Sequence, residues 1–257
     1  MLPWPTSEIL LYELTPFREV FLNTVRYVKD ILSEAEAGHD WNHVQRVYQN
    51  TLSILEEEER SGLLTPGVAV LAVWGALLHD VADEKFHPEP DHPNRQSVQR
   101  FVGQLPFSDL QKAGINHLIE WVSFKNSFDG DRSKELAQDS TWTQALHILR
   151  DADRLDAIGA VGLARAFHYG GYKNRLFFDE EILPVTYKDS KAYHKSAAPT
   201  INHFYEKLLL LKGSMHTQAG RKEAENRHQF LLQYLEQFYT ELGYSRPPAG
   251  FDLESFE

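Results

Sequence analysis

The stretch VAVLAVWGALLHD, residues 68–80, decides how this chain folds. Eleven small or apolar residues run without a charge and then meet His79 and Asp80. A run apolar on every side is a buried helix, and it falls well short of the roughly 20 residues that a membrane span requires. An imidazole and a carboxylate are therefore carried to the end of a buried helix, where they are costly to keep unless something pairs with them. Successive helical residues point about 100° apart, but a long imidazole and a short carboxylate can lean toward one divalent cation lying between them. A His–Asp hydrogen bond capping the helix end would also account for the dipeptide, so the metal reading needs further ligands.

Two other stretches offer them. In GHDWNHVQRV, residues 38–47, His39 and His43 are four apart and share a helical face. In ILRDADRLDAIG, residues 148–159, Asp151, Asp153 and Asp156 crowd an otherwise apolar helix. Asp153 and Asp156 share a face, whereas Asp151 lies about 200° around from Asp153. Unpaired buried carboxylates are rare in cores. The stretch therefore points to function, with solvent exposure expected for one or two of the three.

The rest of the chain reads as helix. Thr15-Pro16 and Thr65-Pro66 each set a capping hydroxyl before a proline, and Thr141 with Gln144 forms a capping box, which predicts helix starts near 16, 66 and 142. Val44, Val47, Tyr48, Thr51, Leu52 and Leu55 recur at the helical period. Gly38 is read as ending the first long helix, and the Glu56 to Glu59 run with Ser61-Gly62 as ending the second in a solvated turn, its glutamates exposed. Loops are expected at about 83–95 and 169–199, and two helices between Pro199 and about Tyr239. No alternating strand pattern is convincing. The expected fold is all-α, a multi-helix bundle with additional C-terminal helices. Residues 1–257 are read as one domain with a core at about 35–165 and a helical extension at about 199–242.

Composition narrows the chemistry. With 42% hydrophobic and 25% charged residues the chain is ordinary globular material. The absence of cysteine leaves histidine and carboxylate as the ligands for any ion. A net charge of -11 argues against a partner such as duplex nucleic acid, though a small phosphorylated substrate needs only a local basic cluster. No membrane association is expected, and with no basic-then-apolar leader at the N-terminus the location is read as cytoplasmic.

The combination of His43 in HxxRV, His79-Asp80, and Asp153 in DADRLD resembles the H…HD…D signature of the HD-domain metal-dependent phosphohydrolase superfamily, over roughly residues 35–165. The resemblance implies an HD-domain helical bundle and a divalent metal ion held by His43, His79, Asp80 and Asp153. Two imidazoles with two carboxylates suit manganese or magnesium. ALLHDVADEKF (76–86), DADRLDAIGAVGLARAF (151–167) and NHFYEKLLLLK (202–212) are similar to a bacterial branch associated with manganese-dependent hydrolysis of nucleoside triphosphates. The HHE run and GYP motif of the cyclic-di-nucleotide branch are absent.

Asp83, with Glu84, resembles the acidic pair used for water activation in HD-type alarmone hydrolases and is the general-base candidate. His39, one turn before His43, resembles the proton-donating histidine of related cyclic-nucleotide phosphodiesterases. Lys85 and Lys125 are candidates for contacting substrate phosphate, with Arg165 and Lys173 as further ones. Each of these residues is equally compatible with an ordinary solvated surface. The expected activity is nucleoside triphosphate pyrophosphohydrolysis by attack of a metal-activated water. Another phosphomonoesterase, phosphodiesterase or alarmone hydrolase of the superfamily, or a non-catalytic nucleotide-binding module, remains an alternative. HDWNH also resembles the zinc-peptidase pattern HExxH, but its aspartate is a methylene too short for the base and no third-ligand motif follows.

Overall fold

A computed structural model of the chain describes residues 2–34, 40–81, 93–122, 140–185 and 198–256. The protein is all-α, with no strand among the described residues. In chain order the α-helices are α1 (Glu8–Leu14), α2 (Arg18–Ile31), α3 (Trp41–Arg60), α4 (Val68–Leu78), α5 (Pro93–Gln104), α6 (Asp109–Trp121), α7 (Ser140–Asp156), α8 (Gly159–Tyr172) and α9 (Gln218–Glu241). They gather into two compact units, residues 1–153 and 154–257, and the boundary falls within α7. None of the described helices is long and apolar enough to cross a membrane.

The first unit is organised around α4. All eleven of its residues are buried, as an all-round apolar run requires, and both α3 and α6 pack against it. Small residues permit the close approach. A Cβ at Gly75 would lie 2.9 Å from a Leu118 methyl on α6 and 3.0 Å from a Leu149 methyl on α7. One at Gly114 would meet the Trp142 indole at 2.8 Å. Trp74 is fully buried, and its indole N–H donates to Thr24 Oγ1 at 3.1 Å, so its polar edge is satisfied inside the core. Arg150, buried on α7, donates twice to the Trp121 carbonyl at the end of α6, at 2.9 and 3.2 Å.

The second unit pairs α8 with α9. Arg165 on α8 forms an ion pair with Asp156, and Arg227 on α9 donates to the Leu155 carbonyl at 2.6 Å. Tyr205 shares a hydrogen bond with Tyr239 at 3.1 Å and donates to the Phe251 carbonyl at 3.0 Å, so burial of the two hydroxyls is compensated.

Several local expectations are corrected. Thr15-Pro16 opens a 3₁₀ turn, Thr15–Phe17, that follows a helix already formed over Glu8–Leu14. The residue before α4 is Gly67, in the left-handed region at φ 84°, not Thr65. The helix expected to start at the Thr141/Gln144 capping box begins at Ser140, one residue before Thr141, and Gln144 reaches outside it, donating to Leu63 O at 2.7 Å and accepting from Thr65 N at 3.0 Å. Nor are the glutamates idle surface: Glu56 accepts from Thr6 N and Glu59 from Ile9 N, both at 3.1 Å, and Glu58 is buried. Glu59 thereby supplies the N-terminal cap of α1 from outside the helix. The loop expected from 169 starts later, since α8 runs to Tyr172. The first of the two C-terminal helices is a π-helical turn, Phe204–Leu208, continuing as 3₁₀ over Leu209–Ser214.

Candidate metal centre

Three chain segments of the first unit converge on one point. Asp40 caps α3 by accepting from the His43 amide at 3.0 Å, which sets His43 in the first helical turn with its side chain buried. Burial raises the Asp40 carboxyl. The bonds from Asn42 and the His43 amide, with the charge of Arg46, outweigh that effect and hold it below the usual carboxylate range.

At the end of α4, His79 and Asp80 are both buried. The His79 Nδ1 lies 2.9 Å from the Ala76 carbonyl, which can only accept, so Nδ1 carries the proton and Nε2 presents its lone pair inward. That Nε2 is 3.2 Å from His43 Nε2. Asp80 reaches both rings, with Oδ2 3.4 Å from His43 Nε2 and Oδ1 3.8 Å from His79 Nε2. Asp153 on α7 brings Oδ1 to 3.5 Å from His43 Nε2, and its side chain is 31% exposed. Three of the four groups are buried, and Asp153 is partly exposed.

These distances fit a cation. Donor atoms of His43, His79 and Asp80 all lie within 4.8 Å of one another. Ligand bonds of about 2.1 Å separate neighbouring donors by about 3.0 Å at an octahedral angle and about 3.4 Å at a tetrahedral one. Without a charge between them, two ring nitrogens and the Asp80 carboxylate would be held together at the cost of desolvation.

The three acids of α7 separate by environment. Asp151 and Asp156 are buried, and Asp153 is the partly exposed one. Asp156 is engaged by Arg165, so Arg165 is committed to an ion pair. Lys173 lies over the rings of Tyr172 and Tyr169, at 4.8 and 5.6 Å. His39, Asp83, Glu84, Lys85 and Lys125 lie outside the described residues, as does Gly38. Sequence reasoning overlooked Asn50, which donates to the Ala152 carbonyl at 2.9 Å. Its only sequence signal is a polar residue seven positions after His43.

No protein-family profile matches the chain. An uncharacterised Bacillus subtilis protein, YpgQ, is 36% identical over 232 residues, covering 89% of this chain and 94% of the relative. The crystal structure of an HD-superfamily hydrolase from Bacillus thuringiensis superposes with a TM-score of 0.65 at 33% identity, over 89% of this chain and 99% of that one. The crystal structure of YpgQ in complex with ADP superposes with a TM-score of 0.60 at 26% identity, over 87% and 95% of the two chains.

Proposed function

Because the chain belongs to the HD superfamily of hydrolases, we propose that it is a metal-dependent phosphohydrolase of nucleotides that cleaves nucleoside triphosphates to a monophosphate and pyrophosphate. The observation that carries the reading is the pair of Nε2 atoms of His43 and His79 at 3.2 Å, with carboxylate oxygens of Asp80 and Asp153 within 3.5 Å of His43. In this reading His43, His79, Asp80 and Asp153 hold the ion. Such a half-carboxylate set without thiolate favours manganese or magnesium. When bound, a divalent ion acidifies a water ligand and neutralises charge on a phosphoryl group.

The chain's own groups would do the remaining work. Asp83 would accept the proton of the attacking water, and His39 would protonate the leaving oxygen. Lys85 and Lys125 would pair with the phosphates. The complex of YpgQ with ADP supports a nucleotide as ligand, and the motifs ALLHDVADEKF and NHFYEKLLLLK support the triphosphate branch. The same reading treats residues 1–257 as one HD-type domain, with its core at about 35–165 and an extension at about 199–242, working in the cytoplasm.

The deciding experiment incubates the chelator-treated protein with nucleoside tri- and monophosphates, cyclic nucleotides and alarmones, adding back manganese, magnesium or zinc and resolving products by phosphorus NMR. Pyrophosphate and monophosphate released from triphosphates with manganese is the expected result. Orthophosphate as the sole inorganic product, turnover of monophosphates alone, or full activity without metal would overturn it.

A further inference from the structure

Asn50 stands seven residues after His43 on α3, two turns along the same face. Its Nδ2 donates to the Ala152 carbonyl of α7 at 2.9 Å. Ala152 is fully buried and immediately precedes Asp153, whose Oδ1 is 3.5 Å from His43 Nε2. One helix therefore carries both an imidazole of the centre and an amide that grips the neighbouring helix beside its carboxylate. We propose that Asn50 is a positioning residue of the metal centre, holding α7 in the register that brings Asp153 to His43. The inference rests on the ligand set proposed above.

Magnitudes favour positioning over mere packing. Asparagine is a poor residue for a helix interior, so its place in α3 calls for a tertiary partner. The Ala152 carbonyl lies within α7, where its helical bond uses one lone pair and the second remains for the Asn50 amide. Sliding α7 by one residue moves it about 1.5 Å, whereas a metal–ligand distance tolerates only about 0.2 Å. A single anchor one residue from the carboxylate removes that freedom where it matters most.

The test is a double-mutant cycle on the full chain, with manganese affinity read from the free-ion signal in electron paramagnetic resonance and folding from circular dichroism. Asn50→Leu, close in size but without a donor, should weaken manganese about ten- to a hundredfold, as loss of an outer partner does. In an Asp153→Asn background the same change should alter affinity less than about twofold, because the carboxylate it positions is gone. Asn50→Ala is measured in parallel, so that poor folding of one variant leaves the other to decide. Parent-like affinity in the Asn50 variants, or an equal loss in both backgrounds, overturns the Asn50 role alone. Undiminished affinity in Asp153→Asn overturns the ligand assignment and the Asn50 role with it.

Discussion

His43 and His79, 36 residues apart in sequence, hold their Nε2 atoms 3.2 Å from one another. The Ala76 carbonyl accepts a hydrogen bond from the His79 Nδ1–H, so a proton or a cation has to lie between the two inward nitrogens for the pair to be stable. Manganese added to chelator-treated protein should therefore stabilise the fold. At a hundred times the dissociation constant the gain is about 2.7 kcal/mol, which for a chain of this size is a rise of several degrees in Tm. His79→Ala should abolish the rise in scanning calorimetry. An undiminished rise in that variant would place the ion elsewhere.

Asp40 ties the start of α3 to the position of His43. Its depressed carboxyl makes a contribution that is present above the unfolded pKa, about 3.9, and is lost as pH falls through the lower folded value. Asp40→Ala should lose about 1 kcal/mol at neutral pH, the usual worth of an N-cap. In urea titrations the gap between variant and parent should close below about pH 4. A gap that stays constant down to pH 3 would mean that the charge of Asp40 contributes nothing to the cap.

Gly114 sets two effects against each other. Alanine is the better helix former by about 1 kcal/mol, but its methyl would sit 2.8 Å from the Trp142 Nε1 and 3.1 Å from a Leu71 methyl. Overpacking of this kind costs about 1–3 kcal/mol, and a rigid indole has little room to yield, so Gly114→Ala should be net destabilising. A urea midpoint at or above that of the parent would show that Trp142 moves aside freely.

The features that could be read from sequence are those whose cost or period is local. The run from Val68 to Leu78 could be stable only as a buried helix, and all of it is buried. The same reasoning picked out His79 and Asp80, because polar groups at the end of such a helix need partners. What could not be read depends on a partner far along the chain. Gln144 matches a capping box in sequence, yet it bonds to Leu63 and Thr65. Glu56 and Glu59 look like solvated charge until the amides of Thr6 and Ile9 lie opposite them. Asn50 is one more polar residue on a helix until Ala152 lies opposite. Among the three acids of α7, periodicity separated Asp153 from Asp151, but assigning Asp156 required seeing Arg165.

Those three acids give the sharpest test of the centre. Asp153 is 3.5 Å from His43 and partly exposed, Asp156 is buried against Arg165, and Asp151 is fully buried. Asn replacement at each should therefore have a different signature. Asp153→Asn should bind manganese far more weakly, losing it on desalting together with nearly all turnover, yet fold, since removing one charge relieves repulsion with Asp80 when no ion is bound. Asp156→Asn should keep the ion but lose roughly 1–3 kcal/mol, because the buried Asp156 side chain loses its charge-assisted bond from the partly exposed Arg165. Asp151→Asn should also keep the ion, since it points about 200° away from Asp153 around the helix. Metal content by elemental analysis, urea midpoints and turnover under saturating manganese separate the three outcomes. Stoichiometric metal in Asp153→Asn, together with its loss from Asp151→Asn or Asp156→Asn, would shift the register of the ligand set on α7. The pairing of His43 with His79 would then need a different fourth donor.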